Sequence, residues 1–171
     1  MKTYFLSLIL FSLFFIDGNA QKCQLREDPF TNEKVVSYNW KNGIVFYEQT
    51  SDNIKFGIKC NYSGERNVII EKGNKVIFKL DNGEIIELPT CVDAHPDTQL
   101  SASQYSASVY TFYSFVFCLS DEQLDKLSKF KVTAVRYPDT NGENLDILLK
   151  GKRNKYSKAV LEGGQYIISN S

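Results

Sequence analysis

Ile54, Phe56, Ile58 and Cys60 alternate with Lys55 and Lys59. In an extended chain the first set shares one face and the lysines the other, the pattern of a strand with one wet face, with Cys60 on the core side. The segments 34–40 (KVVSYNW), 44–48 (IVFYE) and 67–71 (NVIIE) are short, rich in β-branched and aromatic residues, and bounded by Asn, Gly, Ser and Asp, so they too are predicted strands. Two more are predicted at 131–137 and 145–150, joined by a turn over 138–144 that carries Asp139, Asn141 and Gly142.

The stretch 75–88 (KVIFKLDNGEIIEL) predicts a hairpin whose register can be argued. A two-residue Asn82-Gly83 turn would pair Phe78 with Glu87, placing a carboxylate beside a core ring. A three-residue loop of Asp81, Asn82 and Gly83 pairs Val76 with Leu88 and Phe78 with Ile86. Burial selects the second register, a type I turn with a G1 bulge and Gly83 at positive φ.

A polar loop is predicted over 89–103, then a long strand over 105–119. Both of its alternating sets are apolar or aromatic. Val109, Tyr113, Phe115 and Phe117 form one, and Tyr110, Phe112, Val116 and Cys118 the other, so it is predicted to be central and covered on both faces. The segment 120–130 then reads as a helix. Ser120 and Gln123 make a capping box, Leu119 and Leu124 a hydrophobic staple, and the acidic and basic residues sit at the ends that suit the helix dipole. Near the C-terminus Tyr156, Ala159, Val160, Gly163 and Ile167 recur at helical spacing. A helix is predicted there even though Gly163-Gly164 costs about 1 kcal/mol per glycine; the alternative is a helix ending near Glu162 and a short strand at 166–169. The fold class expected is α+β: a mostly antiparallel sheet, sandwich- or barrel-like, with one short capped helix and a C-terminal helix.

The opening twenty residues alter this picture. Lys2 is followed by an apolar run from Tyr4 to Ile16 and then by Asp17, Gly18 and Ala20, the order of a secretory signal peptide. A run of thirteen positions falls short of the roughly 20 needed for a membrane span. The expected organisation is a signal peptide over 1–20 and a single β-rich domain over 21–171, periplasmic or extracellular, without a transmembrane span after cleavage.

Export in turn changes the reading of the cysteines. Cys23, Cys60, Cys91 and Cys118 form an even set with none of the close pairing of a zinc site, so disulfides are plausible, with three connectivities open. The 171-residue chain carries 20 basic and 20 acidic residues, and removal of 1–20 leaves it neutral. A neutral chain offers no global field to attract nucleic acid, and none is expected as a partner. The local exception is Lys150, Lys152, Arg153, Lys155 and Lys158, read as a solvated face, with contact to an anionic lipid or polysaccharide as the functional alternative.

Candidate chemistry is sparse. His95 is the only histidine, which excludes any mechanism or metal site that needs two. Cys91, Asp93, His95 and Asp97 alternate and would point the same way in an extended chain, so any metal ligands would be sought there. The favoured reading is a polar loop with Cys91 in a disulfide, and no metal or cofactor is expected. There is no GxSxG elbow, GxxxxGK loop or GxGxxG fingerprint. The aromatics Tyr105, Tyr110, Phe112 and Tyr113 are assigned to the core, with a stacking platform for sugar or protein as the alternative. Asn61-Tyr62-Ser63 is a glycosylation sequon, meaningful only in a eukaryotic secretory route.

The signal ending Asn19-Ala20-Gln21, the Asp28-Pro29-Phe30-Thr31 stretch, the 73–88 hairpin and the helix and strand over 120–137 together resemble small exported β-rich proteins of unknown function from Bacteroidetes-type bacteria. The resemblance implies location and fold and carries over no functional residue. The expected function is that of an exported, non-catalytic binding protein whose partner is an extracytoplasmic protein or a glycan. The alternative is a small extracytoplasmic hydrolase-like enzyme using carboxylates or the 91–97 loop.

Overall fold

The computed structural model describes residues 22–102, 107–139 and 144–171. The expected signal peptide, Tyr105 and most of the 138–144 turn lie outside them. Ten strands form two antiparallel sheets. The first five are β1 (Lys22–Glu27), β2 (Lys34–Trp40), β3 (Val45–Gln49), β4 (Ile54–Ser63) and β5 (Lys75–Leu80). They are followed by β6 (Ile85–Pro89), β7 (Asp97–Ala102), β8 (Ala107–Leu119), β9 (Val132–Pro138) and β10 (Asn144–Leu148). Helix α1 (Asp121–Lys129) follows β8, and α2 (Asn154–Asn170) ends the chain. The larger sheet, in the order β1-β2-β3-β4-β8-β7, curls into a half-barrel, and the smaller runs β10-β9-β5-β6.

Between the sheets lies a cluster of aromatic rings. Phe56 of β4 stacks on Tyr47 of β3 with centroids 4.7 Å apart, and lies 5.5 Å from Phe117 of β8 and 5.8 Å from Phe78 of β5. Phe115 meets Tyr137 of β9 at 5.3 Å. Helix α2 packs on β2 and β3 through Ala159, Val160, Gly163 and Ile167, all buried, and the Tyr47 hydroxyl donates to the Val160 carbonyl oxygen at 3.0 Å.

Local signals explain most of this. The alternation in β4 buries Ile54, Phe56, Ile58 and Cys60 as expected. The hairpin pairs Val76 with Leu88 and Phe78 with Ile86, with Gly83 at φ 89°, the register that burial selected. At α1 the Ser120 hydroxyl accepts from the Gln123 N–H at 3.3 Å, and the Gln123 side-chain oxygen accepts from the Ser120 N–H at 3.0 Å. Ser120→Ala is therefore expected to cost about 1 kcal/mol and to lower Tm by about 2–4 °C in a thermal melt. The C-terminal helix runs unbroken through Gly163-Gly164, because both glycines are buried against neighbours rather than exposed.

Three expectations are corrected. Segment 67–71 is no strand: only Ile70 bridges Ala94, while Val68 and Ile69 are exposed. Both edges of β4 and of β8 are already paired, which leaves this segment no free edge there. The 89–103 loop contains β7, which pairs with β8 through its backbone ladder and a Thr98–Thr111 hydroxyl contact at 3.1 Å and buries none of its side chains, so no hydrophobic period marks it. Strand β8 is covered on one face only. Tyr113, Phe115 and Phe117 are buried, whereas Tyr110, Phe112 and Val116 are half-buried and Cys118 is exposed. That second face forms the functional candidate.

Candidate functional site

The open face of β4, β7 and β8 carries a cleft of about 660 Å³. Strand register explains its lining. Asn61 pairs with Phe112 and Phe112 with Asp97, so the three form a row across the sheet, and Lys59 pairs with Ser114 in the adjacent row. Residues opposite one another in such rows stand roughly 5 Å apart on the same face. Gln99 enters from β7 and donates from Nε2 to Asp97 Oδ2 at 2.9 Å.

One end of the cleft is closed by the β2–β3 turn and the first turn of α2. Lys41, Asn42 and Gly43 all have left-handed backbones, with φ of 47°, 55° and 84°. Asn and Gly take that conformation readily, whereas for Lys41 it is a strained state of the kind that costs on the order of 1 kcal/mol. The turn is held by the Gly43 N–H donating to Asn39 Oδ1 at 2.8 Å and the Ile44 N–H donating to the Trp40 carbonyl at 3.1 Å. Behind it Trp40 meets Tyr156 edge-on at 5.3 Å, and Lys41 Nζ sits 5.2 Å from the centre of the Trp40 ring.

The cleft continues in two directions. A hollow of about 440 Å³ shares Asn61, Gln99 and Phe112 and runs along Leu100 and Tyr110. A smaller cavity of about 80 Å³ shares Lys59 and Tyr156 and adds Arg153, which joins the 150–158 basic cluster to the site. Cations thus converge from separate elements: Lys41 from a turn, Lys59 from β4 and Arg153 from the approach to α2. Asp97 is the one carboxylate lining the main cleft.

Two lining groups of potential chemistry stay neutral. Burial pushes the Cys60 thiol up to about 12, and its sulfur donates weakly to the Asn61 carbonyl at 3.9 Å. A thiol so raised is a poor nucleophile at ordinary pH. Burial also raises Tyr113, whose hydroxyl donates to the Val68 carbonyl oxygen at 2.7 Å.

Comparison with protein-family models, with curated proteins and with solved structures finds no match.

The alternating Cys91, Asp93, His95 and Asp97 do not converge. Asp93 accepts from the Lys72 backbone N–H at 2.7 Å, Cys91 lies against Cys118, and only His95 and Asp97 reach the cleft. Among the described residues no group of three or more His, Cys, Asp and Glu is placed to hold a metal ion. No disulfide bond joins Cys60, Cys91 or Cys118; Cys23 lies on exposed β1 and Cys60 in the core. The aromatic set divides: Tyr113 serves the core, while Phe112 lines the cleft.

Reading by residue placed Lys59 only on a wet face and Asn61 only in a sequon, and it missed Ser114 and Gln99. The signal available was the aromatic Phe112 and Tyr110 on the alternate set of β8. Only pairing with the lysine-bearing wet face of β4 turns that set into a site, and pairing is not a local property.

Proposed function

We propose that the chain is an exported, non-catalytic binding protein that takes an acidic glycan along the β4–β8–β7 face. The observation that carries this reading is the convergence of Lys41 and Lys59 on a cleft lined by side-chain amides and the rings of Phe112 and Tyr156, with Arg153 in the adjoining cavity. The cations suit a carboxylate or sulfate. Asn42, Asn61, Gln99 and Ser114 offer the paired donors and acceptors that sugar hydroxyls require, and an aromatic face suits a sugar ring with one apolar side. The neighbouring hollow past Leu100 and Tyr110 gives room for further sugar units.

Trp40, the only tryptophan, touches Tyr156 and so reports on the cleft. Titration with oligogalacturonates and heparin oligosaccharides is expected to change its fluorescence saturably, with affinity falling as salt rises. Lys59→Glu is expected to weaken binding about ten-fold or more, the scale of one charge-assisted hydrogen bond. No saturable response to either acidic series, or equal binding by Lys59→Glu, would sink the reading. The exported state has its own check: intact mass of secreted protein is expected to begin at Gln21.

A hydrolase-like reading is favoured by one observation, that His95 and Asp97 line the same cleft. It predicts turnover of bound oligosaccharide that is lost in His95→Ala, whereas the binding reading predicts intact ligand with either protein.

A further inference from the structure

Cys91 and Cys118 approach to 2.8 Å. Cys91 is the second residue after β6 of the smaller sheet, and Cys118 is next to the last residue of β8 in the larger. We propose that these two cysteines are the disulfide pair of the protein, a staple that joins the two sheets and pins the segment carrying His95 and Asp97 onto β8. This does not rest on the glycan reading.

The backbone prepares the contact. Thr90 bridges Phe117 in antiparallel fashion, and the Cys91 N–H donates to the Val116 carbonyl oxygen at 2.8 Å. Thr90 and Phe117 are both buried. Side chains alternate along extended backbone, so Cys91 and Cys118 share the opposite face and meet there. Cys118 is exposed and Cys91 partly so, which leaves the pair open to an oxidant. The other two thiols are placed elsewhere. Cys60 points into the core from β4, on the face opposite Cys118, and pairs in register with Tyr113 rather than with the end of β8. Cys23 lies on β1, with β2, β3 and β4 between it and β8. A disulfide requires Cα atoms within about 7 Å, which that strand order does not offer.

The chemistry is thiol–disulfide exchange with an oxidant that is itself a disulfide, either a small-molecule one or the active-site disulfide of an oxidoreductase. Burial and the adjacent Cys118 thiol push Cys91 up to about 11. Cys118, the more exposed, therefore attacks first as thiolate, forming a mixed disulfide and releasing one thiol of the oxidant. Cys91 gives up its proton and displaces the second. In sum two S–H bonds are lost and one S–S bond forms, and two electrons and two protons convert the oxidant's disulfide into two thiols.

The full chain, equilibrated with oxidised glutathione, is to be alkylated in denaturant and digested with chymotrypsin. Trypsin would not separate the pair, because no Lys or Arg lies between Lys79 and Lys126. The expected result is one cross-linked peptide pair containing Cys91 and Cys118, with Cys23 and Cys60 alkylated. Reductant is expected to lower Tm by about 5–10 °C, and the double variant Cys91→Ser, Cys118→Ser to show no such dependence. Four alkylated cysteines, a bridge to Cys23 or Cys60, or a wild-type Tm indifferent to reductant overturns the proposal.

Discussion

Phe56→Ala is expected to cost about 3–5 kcal/mol, the range for removing a fully buried phenyl ring and leaving a cavity. Phe56 is 0% exposed and contacts rings from both sheets: Tyr47 and Phe117 on the larger, Phe78 on the smaller. Its neighbours cannot close over the gap from one side, because they belong to strands held by separate ladders. Against a typical total stability of about 5–15 kcal/mol, this is a large fraction. Thermal denaturation followed by circular dichroism is expected to show Tm lowered by about 10 °C or more. Phe112→Ala, at a half-buried ring on the open face, is expected to cost far less stability while weakening ligand binding. A Phe56→Ala protein melting within about 3 °C of wild type would mean that the two sheets do not depend on this ring cluster.

The contrast between these two rings shows what was legible in the sequence. Phe56 sits in a clean alternation with Ile54, Ile58 and Cys60, and a period of two assigns such a residue to a face without knowledge of the partner strand. The Val76–Leu88 and Phe78–Ile86 register was legible for a related reason: both strands of a tight hairpin are local, and the wrong register would bury Glu87. The capping box of α1 is local as well, spanning only Ser120 to Gln123.

Where the fold depends on distant partners, the sequence reading stopped short. Strand β7 has no buried side chain, so nothing in its own composition distinguishes Asp97–Ala102 from a polar loop; the pairing edge of β8 makes it a strand. Segment 67–71 shows the reverse, with β-branched residues in abundance and only the Ile70–Ala94 bridge, since β4 and β8 are each paired on both sides. The cleft belongs to this second class. His95 and Asp97 were visible as candidates, but Lys59, Asn61 and Phe112 become a site only through the β4–β8–β7 register. The strained turn that presents Lys41 is likewise a property of the folded chain.

Gly163→Ala sets two local effects against each other, and magnitudes decide the sign. In an exposed helix the change would stabilise by about 1 kcal/mol, since alanine is the better helix former. Here a Cβ on residue 163 would lie 2.5 Å from Tyr47 Cδ2, 2.6 Å from Tyr47 Cε2 and 2.8 Å from Tyr38 Cδ1. Both rings are fully buried, and Tyr47 is also tethered, its hydroxyl bonded to the Val160 carbonyl one turn earlier in the same helix. Neither ring can swing aside, so α2 must lift from β2 and β3. Overpacking of this kind costs about 1–3 kcal/mol, and more where backbone shifts. The net expectation is a loss of about 2 kcal/mol, read as a fall in Tm of about 4–8 °C. Because the tether holds the ring in place, the effect should be non-additive with Tyr47→Phe: in that background the ring can shift, and Gly163→Ala should cost less than it does alone. If Gly163→Ala instead raised Tm, helix propensity would have prevailed and the close approach of α2 to the sheet would be softer than these distances require.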